Sequence, residues 1–119
     1  MRDFRKLNVW ERAHNFVLNV YKLSKPFPKE ELYGITSQLR RAVVSIPTNI
    51  AEGCGKHTEK DFVRYLSIAA GSTSEVEYLL ILSKDLKFID ESIALAQITE
   101  INEIKKILNA LMMKIAKSY

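Results

Sequence analysis

Apolar residues recur along most of the chain at intervals of three and four, the period of a helix buried on one side. Ala13, Phe16, Val20 and Leu23 repeat in this way, with Val9, Trp10 and Val17 beside them. A first helix is predicted over 8–24. Asn8 is its cap and Glu11 the residue three positions on, a variant of the capping box. Pro26 and Pro28 stop it. Pro28 also suits a first helical position, with Glu30 and Glu31 at the positive end of the dipole, so a second helix is predicted over 28–53. Its stripe reads Leu32, Ile35, Leu39, Val43, Ile46, Ile50. Pro47 falls inside it and removes one amide donor, yet the stripe runs on, so a kinked but continuous helix is expected. Gly53-Cys54-Gly55 closes it.

Thr58, with Asp61 three residues later, caps a third helix over 58–87. Phe62, Leu66, Ala69, Thr73, Val76 and Leu80 form one face. Ile68, Gly71, Tyr78 and Leu82 form a second apolar face almost opposite. A helix apolar on two sides is buried on two sides. The fourth helix, over 91–117, carries Ile101, Ile104, Leu108, Leu111 and Ile115 in a strict 3-4-3-4 seam, widened by Ile107 and Met112. Short connections make consecutive helices antiparallel. The pattern therefore predicts an all-α chain, one domain over 1–119, folded as an up-down-up-down four-helix bundle. The two-faced third helix asks for more cover than one bundle supplies, which predicts a homo-oligomer.

Composition agrees. The chain has 119 residues, 47% hydrophobic and 27% charged, which suits a single globular domain. Only 4 Gly and 3 Pro leave little punctuation for a small all-β fold. One cysteine excludes an internal disulfide. No signal-like or membrane-spanning run is visible, and the expectation is a cytoplasmic protein without a membrane role.

The most unusual stretch is Gln38 to Gly53. Projected on a helix, Gln38, Arg41, Ser45, Asn49 and Glu52 fall within about 80° of one another, opposite the stripe. One reading is a solvated polar face with an Arg41–Ser45–Asn49 ladder. The other is a polar seam at a subunit contact, where Arg and Asn pair with carboxylates or amides and Glu52 or Glu75 of a neighbouring helix supplies the partner. A catalytic reading lacks a nucleophile, base and orienter set. Gly71 in mid-helix costs about 1 kcal/mol against Ala, and close packing of two backbones is the expected compensation. Cys54 and His57 stand three apart, but with His14 the only other histidine they make no zinc set. A loop cysteine and an exposed histidine are expected. No metal, cofactor or small-molecule substrate is expected.

Lys and Arg outnumber Asp and Glu by 18 to 14, a net charge of +4. Arg2, Arg5, Lys6 and Arg12 gather near the N-terminus, and Lys105, Lys106, Lys114 and Lys117 lie along the fourth helix. Besides a solvated surface, these residues are candidate phosphate contacts for RNA or DNA, with a field that oligomerisation multiplies. Aromatic neighbours are few, Phe4 and Trp10 near one cluster and Tyr119 near the other, unlike a base-stacking platform.

Leu7-Asn8-Val9-Trp10, Phe27-Pro28-Lys29-Glu30-Glu31-Leu32-Tyr33-Gly34, the run Gln38-Leu39-Arg40-Arg41-Ala42-Val43-Val44-Ser45-Ile46-Pro47-Thr48-Asn49-Ile50-Ala51-Glu52-Gly53, then Phe62, Tyr65-Leu66, and Ala70-Gly71-Ser72 with Glu75 resemble a known family. It is that of the four-helix bundle proteins encoded by intervening sequences in bacterial 23S ribosomal RNA genes. The resemblance implies a homopentamer around a central channel, no established enzymatic activity, and an architecture similar to the accessory protein of diversity-generating retroelements. That protein is a basic pentamer associated with reverse transcriptase and nucleic acid. Two functions follow as expectations: a non-enzymatic oligomeric scaffold contacting RNA, DNA or a nucleoprotein through a basic surface, or a protein-interaction module with no nucleic-acid role.

Overall fold

Each apolar stripe becomes the inner face of a helix. The computed structural model describes residues 1–118, and Tyr119 lies outside them. Four helices run in order: α1 (Asn8–Ser24), α2 (Ile35–Cys54), α3 (Glu59–Asp85) and α4 (Glu91–Ala116), with no strand among the described residues. Single 3-10 turns, Phe4–Lys6 and Lys29–Glu31, precede α1 and α2. Helices adjacent in sequence pack side by side and α1 closes against α4, with α2–α3 the most extensive contact. Phe16, Val20, Leu39, Val43, Ile46 and Ile50 of α1 and α2 meet Phe62, Leu66, Leu80, Ile101, Ile104 and Leu108 in one core.

The predicted cap at Thr58 is present: its Oγ1 accepts the Asp61 amide at 3.1 Å. Asn8 is a correction. It is the first residue of α1, Leu7 holds the cap position, and no side chain caps that end. The 3-10 turn just ahead presents Leu7 in extended conformation, leaving Asn8 already helical. The start of the second helix is the larger correction. Pro28 opens only a 3-10 turn, and α2 begins at Ile35 rather than at residue 28. Gly34, at φ −113 and ψ −119, interrupts the helical path, and the Glu31 carboxylate accepts the Ile35 amide at 3.3 Å. Leu32 therefore lies outside the stripe and is 49% exposed.

Pro47 is buried and α2 continues across it. Three neighbouring side chains give their hydrogen bonds to α2 carbonyls around the proline: Ser45 to Ala42 (3.0 Å), Thr48 to Val44 (2.7 Å) and Asn49 to Ser45 (2.7 Å). Polar back-bonding of this kind supplies local contacts where a proline removes an amide donor. Gly53 then lets α2 and α3 close. A Cβ there would stand 2.9 Å from both Phe62 Cδ1 and Tyr65 Cβ. Cys54 is the buried last residue of α2, not a loop cysteine.

Both ends of the bundle are fastened. At one, the Arg2 amide donates to the Cys54 carbonyl at 2.9 Å. The Arg2 guanidinium lies 4.3 Å from the centroid of the Phe62 ring and reaches Glu59 at 2.7 Å. At the other, Phe27 of the α1–α2 connection meets Phe88 of the α3–α4 turn with centroids 5.5 Å apart.

Candidate functional site

The α2 seam is partly dismantled by the structure. Ser45 and Asn49 are half-buried and turn to their own surroundings, Asn49 to the Ser45 carbonyl, and Ser45 to Ala42 and across to the Ser72 hydroxyl of α3. The expected Arg41–Ser45–Asn49 ladder is thus a set of bonds to backbone and to α3, and Arg41 is not in it.

Arg41 and Glu75 are exposed and form no ion pair or side-chain hydrogen bond among the described residues. Arg41 shares a groove of about 360 Å³ with Tyr21, Arg40, Val44, Ser45, Thr48 and Asn49. Glu52 separates from the seam. It stands at the rim of an apolar cleft of about 420 Å³ between α1 and α2, walled by Phe4, Trp10, Val17, Val44, Pro47 and Ala51. Val44 and Thr48 line both, so the two form one furrow along the outside of α1 and α2. Trp10 in its wall is stacked by His14, rings 5.1 Å apart.

The second face of α3 stays open. Ile68 is 49% and Tyr78 60% exposed, whereas Leu82 packs on the core. Inside the subunit nothing lies within 4 Å of where the Gly71 Cβ would be, so the expected close packing is not made by this chain's own helices.

Of the eight candidate phosphate contacts, five are ion-paired inside the subunit. Arg2 pairs with Glu59, Arg5 with Asp3, Arg12 with Glu100, Lys105 with Glu77 and Lys106 with Glu103. Lys6, Lys114 and Lys117 have no such partner among the described residues. The pairings leave their mark on protonation. The Arg2 hydrogen bond holds the Glu59 carboxyl below its usual range and raises the Arg2 guanidinium. The Arg5 backbone amide lowers Asp3, and the Glu100 hydrogen bond raises Arg12. Burial pushes the Cys54 thiol up, away from the reactive thiolate.

Helix order adds residues that sequence reading missed. The start of α1, the end of α2, the start of α3 and the end of α4 share one end of the bundle. Lys6, Lys114 and Lys117 thereby share that end with Lys56 and Lys60 of the α2–α3 corner and with Arg64, which is paired with Asp61. The short Gly55–Thr58 turn was the available signal. No group of three His, Cys, Asp or Glu gathers among the described residues as a metal set, and no helix there is long and apolar enough to cross a membrane.

A bundle of four antiparallel helices, with the Arg-Arg-Ala-Val-Val-Ser-Ile-Pro-Thr-Asn run wrapped around its buried proline, defines a helical-bundle class of protein. Residues 5–110 match the family model described as 23S rRNA-intervening sequence protein, and the chain belongs to that family. It is similar to a crystal structure, from Bacteroides thetaiotaomicron, of a protein with unknown function from the S23 ribosomal protein family. The two share 25% identity and a TM-score of 0.81, over 87% of this chain and 97% of that one. No curated protein matches it. Neither the family model nor the similar structure names an activity.

Proposed function

We propose that the chain is the subunit of a non-enzymatic homo-oligomeric scaffold that contacts RNA, DNA or a nucleoprotein partner through its basic end. The observation that carries this reading is the open face of α3, where Ile68 and Tyr78 stay half-exposed on either side of a Gly71 that nothing in the subunit approaches. Its occupant is the α1–α2 furrow of a second copy. Ile68 and Tyr78 stand about 15 Å apart along the helix axis, and Arg41 and Glu52 in the furrow about as far. Glu75 lies between the two apolar anchors, and Arg41 lies in the furrow, so opposite charges left single in one subunit meet across the contact. The face and the furrow are different surfaces. Pairing them is heterologous and closes a ring when the rotation allows. Five subunits, as the family resemblance implies, would pool a charge of +4 each and raise the attraction for phosphates.

Sedimentation tests the assembly. A multiple of 13.7 kDa is expected at micromolar concentration, and a particle of 13.7 kDa overturns the scaffold. Filter binding across salt tests the partner. Retention of ribosomal RNA or random duplex at about 50 mM salt, falling steeply as salt rises, is expected. An assembled protein that retains neither supports the second reading, a protein-interaction module. The internal pairing of Arg2, Arg5, Arg12, Lys105 and Lys106 favours that alternative.

A further inference from the structure

Where the α1–α2 connection turns into α2, a pocket of about 320 Å³ opens, bordering the Arg41 groove at Arg40. Ser24, Lys25, Lys29, Thr36 and Arg40 give its polar lining, and Phe27, Pro28 and Leu32 its apolar wall. No acidic residue lines it.

Thr36 points to an occupant. It is 4% exposed, and its Oγ1 is the one buried side-chain oxygen or nitrogen among the described residues without a hydrogen-bond partner. Ser24, Ser45, Thr48, Thr73, Ser83 and Thr99 all donate to a carbonyl three or four residues earlier. Thr36 is the second residue of α2. The residues three and four before it, Tyr33 and Leu32, belong to the turn, where no helical carbonyl faces its hydroxyl. Leaving such a group unpaired costs about 1–3 kcal/mol. Oγ1 lies beneath the pocket surface, and an acceptor seated there after a small shift of the lining offsets that cost.

Arg40 is held ready beside it. Its Nε donates to Ser24 Oγ at 2.9 Å, one Nη donates to the Tyr21 carbonyl at 3.4 Å, and the guanidinium lies 4.7 Å from the Tyr21 ring centroid. Ser24 is itself fixed by its bond to the Val20 carbonyl at 2.7 Å. None of these contacts is a carboxylate, so the charge of Arg40 stays uncompensated while its plane is set, with further N–H donors unspent. Lys25 and Lys29 likewise have no ion pair among the described residues. The Glu31 carboxylate already takes the Ile35 amide at the start of α2, so side chains rather than the helix dipole do the recognising. The Phe27–Phe88 contact braces the apolar wall from behind.

A hydroxyl donor and three cations suit a dianionic phosphate better than a carboxylate. One phosphate group leaves most of the pocket unfilled, and the unfilled part is the apolar wall. We propose that this corner pocket binds a small phosphomonoester, its phosphate on Arg40, Thr36, Lys25 and Lys29 and its organic group against Phe27, Pro28 and Leu32.

Calorimetric titration of the whole protein with phenyl phosphate, inorganic phosphate and benzoate at matched ionic strength tests it. Phenyl phosphate is expected to bind about tenfold more tightly than either of the others. Thr36→Val removes the unpaired hydroxyl at constant shape, so its melting temperature holds or rises while phenyl phosphate affinity falls about fivefold. Lys25→Gln on an exposed side chain also weakens binding, and Lys56→Gln at the opposite end does not. Absence of saturable binding at about 10 mM phenyl phosphate overturns the site, as does equal affinity in Thr36→Val and Lys25→Gln. Benzoate binding as tightly as phenyl phosphate overturns the choice of phosphate, and inorganic phosphate doing so overturns the organic group.

Discussion

Gly53 and Gly71 are both helical glycines in surroundings that are opposites. Gly53 is walled in by Phe62 and Tyr65, and any Cβ there strikes α3. Gly71 faces open space. Each carries the same helical cost of about 1 kcal/mol against Ala. At Gly53 the close crossing of α2 and α3 accounts for it within one subunit. At Gly71 nothing inside the subunit does. A glycine is thus explained by what would meet its missing side chain, and in the scaffold reading that neighbour at Gly71 is another copy.

The contrast is broken most forcefully at Gly53. Gly53→Ala should lose about 1–3 kcal/mol in urea denaturation, because Phe62 and Tyr65 sit on a packed core and cannot withdraw freely. An unchanged midpoint would mean that α2 and α3 are not pressed together there. Next is the charge pair beside Gly71. Arg41→Glu should raise the dissociation constant of the assembly about tenfold, and adding Glu75→Arg should recover most of the loss in sedimentation equilibrium. No recovery would separate the two residues.

Gly71→Ala should act in two directions. It strengthens the dissociated subunit by about 1 kcal/mol through helix propensity, and it weakens self-association severalfold where a neighbour's backbone approaches. A more stable subunit with unaltered association would remove Gly71 from the contact. The smallest effect concerns the clasp beside Gly53. Arg2 depresses the Glu59 carboxyl when folded, so the clasp stabilises fully above the usual carboxylate range and fades as pH falls through the lowered value. The melting advantage of the native protein over Glu59→Gln should therefore vanish in acid. It is small at neutral pH because the pair is exposed and screened.

The seam Ile101, Ile104, Leu108, Leu111 and Ile115, and the stripe Ile35, Leu39, Val43, Ile46 and Ile50, were readable because core helices print their period in the sequence, and all are buried except Leu111, which packs half-buried against the core. Leu32 was misread because its spacing fits the stripe while Gly34 breaks the backbone that would carry it there. Asn8 failed for a similar reason, its capping chemistry being sound but the turn ahead displacing it. The site was less legible. Arg12 meets Glu100 and Lys105 meets Glu77 only after the helices pack, so a count of cations could not tell paired from single. The loose hydroxyl of Thr36 depends on where α2 starts, the boundary that periodicity placed too early.

The two fastenings, Arg2 on the α2–α3 corner and Phe27 on Phe88, make the bundle a strap buckled at both tips. The end of α4 is held by neither buckle, so its last amides should exchange first by local fraying, while those beside Leu39, Val43 and Leu66 wait for the rare, complete opening.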